Sequence, residues 1–269
     1  MGLNRQQLEK ALHSEGQGIH IPFSLHLFET VSSTNQIVWD LLIQGKEPGC
    51  VVIATQQTAG RGQWGRQWIS PTGGLYLSMG IALQLDATHS YQLTFATAWG
   101  IAQQLRNSGI LVEIKWPNDL VLNERKLGGI LTETKVQRGQ ITQAAIGVGI
   151  NWANPVPETG INLEMWQTPH HQKPIPSLEA LTAKVILGIE SGIQCLFQEG
   201  VNILISRYLE FLTNMGKRVC VNDVAGTVVG VTQTGELRIR METSEMESVK
   251  TPEIYFQPGT ISLGYCNYG

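Results

Sequence analysis

Charge is scarce in this chain. Only 15% of its 269 residues are Asp, Glu, Lys or Arg, and 19 basic against 22 acidic side chains leave a formal net charge of −3. With no basic excess, the chain has no generic electrostatic hold on nucleic acid or on an anionic membrane, so neither is expected as a partner. Long uninterrupted apolar runs are also missing. No segment is therefore predicted to span a bilayer, and the N-terminus lacks the apolar region of a signal peptide. Cysteine is limited to Cys50, Cys195, Cys220 and Cys266, with no C-x-x-C spacing. They read as reduced thiols of a cytoplasmic protein without structural zinc. His170-His171 lies among prolines and reads as a solvated loop, so no resident metal site is predicted.

What is present is apolar bulk: 42% hydrophobic residues over this length can bury one sizeable core and a small second one. Apolar patterning and punctuation predict an α+β fold, a mixed β-sheet flanked by helices. Strands are expected near Val51 to Thr55, Leu75 to Leu83, Val112 to Lys115, Leu127 to Val136 and Thr142 to Ile150. Helices are expected at Asn4 to Leu12, Asn35 to Gln44, Thr88 to Asn107 and along Ser177 to Leu212, with Gly188 and Gly192 marking a kink in the last. Five of the eleven prolines fall between Pro155 and Pro176 and mark a loop. After Leu212 the texture changes to short β-like runs, Arg218 to Val221, Gly226 to Val231, Leu237 to Arg240 and Thr260 to Leu263, with a turn at Thr234-Gly235-Glu236. These divide the chain into a domain over 1–213 and a small C-terminal β-barrel over 214–269.

The stretch Gly60 to Arg66, GRGQWGR, puts three glycines and two arginines into one tight loop after a strand. Its glycines satisfy G-x-G-x-x-G, but the dinucleotide fingerprint must open a helix. The following Pro71 and Gly73-Gly74 forbid one, and Leu75 to Ile81 reads as another strand. Without a helix N-terminus, an anion here needs side-chain cations, and Arg61 and Arg66 can offer planar, permanently charged forks to phosphate or carboxylate oxygens. A glycine-rich hairpin with solvated arginines is the bland alternative.

A second cluster decides between them: Lys115-Trp116-Pro117-Asn118-Asp119-Leu120, then Arg125-Lys126-Leu127-Gly128-Gly129-Ile130-Leu131. Trp116 to Asp119 alone would read as a turn. In this order and spacing, downstream of the GRG loop, the segments resemble the biotin protein ligases, which attach biotin to carboxylase carrier proteins. The resemblance runs from about Thr30 to the C-terminus. It extends through Ser33-Thr34-Asn35, Gln56-Gln57-Thr58-Ala59 and the Gly147-Val148-Gly149-Ile150-Asn151 segment, and it implies a class II synthetase-like catalytic domain with an SH3-like domain after it.

The resemblance also implies chemistry. Such enzymes use ATP to convert biotin's carboxylate into an acyl-adenylate, which a carrier lysine then attacks. The first step brings two anions together, and their repulsion must be screened by cations and by the Mg2+ that accompanies ATP. By position, Arg61, Lys126 and Asp119 are the catalytic residues. Lys126 would bridge the carboxylate and α-phosphate, Arg61 would organise the loop facing that phosphate, and Asp119 would bind the cation or help deprotonate the lysine. Ser33, Thr34, Asn35, Gln57, Arg61, Gly62, Gln63, Lys126, Gly129 and Gly147 would hold biotin, the last two glycines by close backbone approach. Arg66, Lys115, Asn118 and Asn151 would join Arg61 on ATP, with Asn151 at the adenine edge and the proline-rich loop ordering over the nucleotide. Ser33 and Thr34 would also cap the helix that follows them.

One residue departs from the family pattern: Gln63 stands where arginine is common, so it can hydrogen-bond but supplies no charge. The 32 residues before Ser33 hold one expected helix, too little for the helix-turn-helix repressor domain that some members carry, so ligase activity without DNA binding is expected. Biotin, ATP and the biotin carboxyl carrier protein of acetyl-CoA carboxylase are the implied partners. Monomer and homodimer both occur in the family and both remain open. A lipoate ligase and a non-catalytic biotin or adenylate sensor are the competing readings.

Overall fold

The apolar run at Val51 to Thr55 is continuous because both faces of its strand are covered. In the computed structural model, which describes residues 3–15, 23–45, 48–169, 174–221, 224–241 and 252–261, this strand is β2 (Cys50–Gln57). Val51 and Ile53 join the main core, while Cys50 and Val52 pack with Val38 and Leu42 of α2 (Thr34–Ile43) in a second, smaller cluster.

Seven strands form the main sheet. In chain order they are β1 (Ser24–Val31), β2, β3 (Leu75–Asp86), β4 (Glu113–Lys115), β5 (Asp119–Leu122), β6 (Arg125–Gln137) and β7 (Gln140–Ile150). In space they run β1-β2-β3-β7-β6-β5-β4. Only β1 and β2 pair in parallel; the other neighbours are antiparallel, so the sheet is mixed as expected. Two strands of this sheet escaped the sequence, as did Glu253–Phe256 further along the chain. β1 is a largely exposed edge strand with polar residues along it, and β5 is too short to show a period.

Opposite α2, the helices α1 (Arg5–Glu15), α3 (Tyr91–Asn107), α5 (Leu178–Gln194) and α6 (Val201–Glu210) pack together over the main core. The expected kink at Gly188 and Gly192 is not there. Helix α5 runs through both, passes into a π-helical turn at Cys195–Glu199, and breaks at Gly200, whose φ is +93°. The two glycines serve close approach instead. A Cβ on Gly188 would stand 2.7 Å from the Cα of Ile101 on α3, and one on Gly192 would overlap the backbone of Ala96.

This region also corrects the expectation of no membrane-length segment. Leu178–Glu199 is long and apolar enough to cross a bilayer by length and composition, with mean hydropathy 1.4. Here that apolarity is used inside the protein, since 67% of its apolar window is buried.

The stretch with five prolines holds the short helix α4 (Leu163–Gln167), and part of it is pinned to the start of β6: Lys126 N–H donates to Thr159 O and Ile161 N–H to Lys126 O. His170-His171 and Cys266 lie outside the described residues, while Cys50 and Cys195 are buried and Cys220 is exposed. Burial raises the pKa of the Cys50 and Cys195 thiols.

The C-terminal strands β8 (Arg218–Val221), β9 (Val224–Val231), β10 (Leu237–Met241) and β11 (Glu253–Phe256) form a four-stranded antiparallel sheet in the order β11-β10-β9-β8. Among the described residues it is an open sheet rather than a closed barrel. Thr260, expected in a strand, lies in a turn closed by its N–H on Gln257 O, and Ser262-Leu263 fall outside the described residues.

Candidate active site

Three segments converge on one cleft of about 250 Å³. The first is the glycine loop, which folds back on itself: Gly62 N–H donates to Arg66 O, and Trp68 N–H to Gly60 O. Between them lies a single 3-10 turn, Gln63–Gly65, in which Trp64 and Gly65 have left-handed φ of +54° and +73°. The loop joins two strands and opens no α-helix, as Pro71 and the Gly73-Gly74 pair foretold.

The second segment is the start of α2. Ser33 occupies its N-cap without a side-chain capping bond, so the capping expected of it does not occur. Thr34 N–H donates instead to Gln57 Oε1 at 2.8 Å, tying the helix to the end of β2. The buried Ser78 hydroxyl, on β3, lies 2.7 Å from Thr34 Oγ1 and 2.6 Å from Asn35 Oδ1. Because the Asn35 oxygen can only accept, Ser78 donates there and takes its second bond from Thr34. Asn35 then turns its amide nitrogen to Glu133 Oε2 at 2.8 Å.

The third segment is the β4–β5–β6 meander. Its turn contains a cis Trp116–Pro117 bond, and Asn118 secures it by donating through its side chain to Ile130 O and accepting Ile130 N–H on its carbonyl. A bulge between Leu120 and Val121 brings Lys126 opposite Val121. Lys126 Nζ lies 2.6 Å from Asp119 Oδ1 and 5.3 Å from the centre of the Trp68 ring. The aromatic face adds a favourable cation contact to the ion pair.

Of the residues singled out from the sequence, Ser33, Thr34, Asn35, Gln57, Arg61, Gly62, Gln63, Arg66, Lys115, Asn118, Asp119, Lys126, Gly129 and Gly147 all line this cleft. Asn151 does not line it. Its side chain, only 8% exposed, donates to Lys126 O and accepts from Asn154 Nδ2. Gly147 is needed inside the protein itself, because a Cβ there would overlap the Asn35 carboxamide.

Sequence reasoning overlooked Trp68 and Glu133. Trp68 packs its indole on Gly149, where a Cβ would come within 2.5 Å of Nε1. A tryptophan in a polar, glycine-rich loop with no core to enter was the available signal. Glu133 accepts Arg61 Nη2 at 2.9 Å across a distance of 72 residues in sequence, which no local pattern reveals.

The electrostatics of the cleft contrast with the chain. Among the described residues, Arg61, Arg66, Lys115 and Lys126 line it with Asp119 as the one lining carboxylate, in a protein of net charge −3. The same lining offers neutral hydrogen-bonding groups from Thr34, Asn35 and Gln57. Two buried polar atoms in this wall, Gln63 Oε1 and Trp68 Nε1, have no partner among the described residues, which is what a polar ligand would satisfy. Among the described residues there is no cluster of three metal-ligating side chains.

Residues 27–151, the part that contains the whole glycine loop and meander, match the Biotin/lipoate A/B protein ligase family. The chain is 32% identical over 225 residues to the bifunctional ligase/repressor BirA of Escherichia coli, covering 81% of this chain and 70% of that protein. To the biotin–[acetyl-CoA-carboxylase] ligase of Paracoccus denitrificans it is 34% identical over 122 residues, covering 44% of this chain and 50% of that protein. Its architecture is also that of a biotin protein ligase from Aquifex aeolicus solved with biotin and ATP, with a TM-score of 0.64 at 22% identity, covering 81% and 92% of the two chains.

Fold and cleft thus define a cofactor-attaching protein ligase of mixed-sheet architecture. The chain belongs to the biotin/lipoate A/B protein ligase family, and its place there is with the biotin protein ligases.

Proposed function

We propose that this protein joins biotin's carboxylate to the α-phosphate of ATP, expelling pyrophosphate, and then transfers the biotinyl group to a lysine of the biotin carboxyl carrier protein of acetyl-CoA carboxylase, with AMP leaving. The observation that carries this reading is the meeting of four cations with neutral hydrogen-bonding groups in one cleft. Two anions can approach each other only where such charge is already in place.

In this reading Ser33, Thr34 and Gln57 bind the ureido ring and its polar surroundings. Lys126 stands between carboxylate and α-phosphate, and Arg61, Arg66 and Lys115 take phosphate oxygens. When an incoming phosphate draws Lys126 away, the Asp119 carboxylate is released from that ion pair and can take the proton of the attacking lysine or hold the cation on ATP. With no three-ligand cluster in the described residues, Mg2+ would arrive on the nucleotide, with Asp119 the carboxylate among the described cleft residues that would touch it. Asn151 would have to exchange its present partners to meet adenine. ATP use and unpaired thiols fit the cytoplasm.

The deciding experiment is ATP–pyrophosphate exchange with magnesium and biotin, lipoate or no acid. Exchange only with biotin supports the proposal. Exchange only with lipoate would move the chain to the sister ligases, and exchange with neither would favour a sensor that no longer activates its ligand.

A further inference from the structure

Glu133 is a carboxylate on β6 to which the proposed reaction gives no task, yet its Oε2 alone receives two donors: Asn35 Nδ2 at 2.8 Å and Arg61 Nη2 at 2.9 Å. We propose that Glu133 is a positioning residue that sets the Asn35 carboxamide and the Arg61 guanidinium relative to each other, linking a neutral hydrogen-bonding group of the cleft to one of its cations. The inference rests on the reading of the cleft as a biotin and ATP site.

The arrangement has a direction. Ser78 fixes the Asn35 oxygen as acceptor, so the Asn35 nitrogen must face Glu133. The carboxylate then takes the guanidinium through one terminal nitrogen, which restrains the plane of the fork while its remaining N–H groups stay outside this bond. The two side chains of the ion pair are 43% and 27% exposed. A pair so accessible to water adds little to folding stability, which leaves orientation as its main effect. It also balances the Arg61 charge until an anionic ligand enters.

Glu133→Gln separates the two links. A glutamine oxygen still accepts from Asn35, but it holds a guanidinium about half as strongly as a carboxylate does. The expected result in biotin-dependent ATP–pyrophosphate exchange is a fall in kcat of about tenfold with a biotin KM within about twofold of wild type, whereas Glu133→Ala raises KM as well by about tenfold. In an Arg61→Gln background, Glu133→Gln should lower kcat no further, because its effect passes through Arg61. Thermal midpoints of all variants, read alongside, should stay near wild type. Unchanged exchange in Glu133→Ala, equal losses in both backgrounds, or losses that follow the thermal midpoint would each overturn the proposal. If wild type itself shows no biotin-dependent exchange, the functional reading fails first and this inference falls with it.

Discussion

Lys126 reaches Asp119 because one residue is left over between them. Gly128 pairs with Leu120 and Lys126 with Val121, so Leu127 is the extra residue of a β-bulge. In regular register Lys126 would sit opposite Leu122 and point to the other face of the sheet; the bulge returns it to the face of Asp119. A pair of opposite charges 2.6 Å apart then stands in the cleft, under the Trp68 ring.

If the Lys126 ammonium screens the two reacting anions, Lys126→Gln should lower biotin-dependent ATP–pyrophosphate exchange by about a hundredfold or more. Asp119→Asn should keep most of that exchange and slow transfer to the carrier lysine, which labelling of the carrier measures. Equal losses in both assays would instead assign Asp119 to the first step.

The side-chain oxygen of Gln63 is buried in the glycine loop without a partner among the described residues, and this neutral amide supplies no charge there. We expect Gln63→Arg to slow release of the adenylate severalfold by adding a charged hydrogen bond. Release measured by rapid filtration and unchanged by the substitution would sink the idea that Gln63 retains the intermediate.

Gly188→Ala tests the contact of α3 with α5. The new methyl meets backbone on α3, where no side chain can rotate away, so a loss of about 2 kcal/mol is expected from overpacking. For a protein of this size that lowers the melting temperature by roughly 5 °C, read by calorimetry. Exchange activity well below the transition should be unaffected, because the contact lies outside the cleft.

Acid should loosen the C-terminal sheet through Glu253. Hydrogen bonds from Arg238, then Arg240, hold its carboxyl below the ordinary carboxylate range. A carboxylate with a lowered folded pKa contributes stability in full above its unfolded value and loses it as pH falls through the folded one. Thermal midpoints between about pH 5 and pH 3 should therefore drop less steeply in Glu253→Gln than in wild type. The variant should also start from a lower midpoint at neutral pH.

The sheet and its helices were legible because burial imposes a period. The two-sided run at Val51 and the helical spacing of Leu178 to Gln194 follow from what each face must avoid. Edge strand β1 was not legible because an exposed strand has no such constraint. The glycines of α5 were misread as a kink because a missing Cβ looks the same in sequence whether it permits a bend or a neighbouring backbone.

By itself the sequence singled out groups that line one cleft: the arginines of the glycine loop, the lysine and aspartate of the meander, and the amides of Asn35 and Gln57. Their types and order along the chain were enough to name the chemistry. Tertiary structure alone decided which of them meet. Arg61 and Glu133 are 72 residues apart, Asn151 turned to Lys126 and Asn154 instead of the cleft, and a single bulged residue put Lys126 on the face of Asp119. Side-chain direction in a sheet alternates with every residue, so a one-residue shift in pairing reverses what a motif presents, and that shift is set by the partner strand.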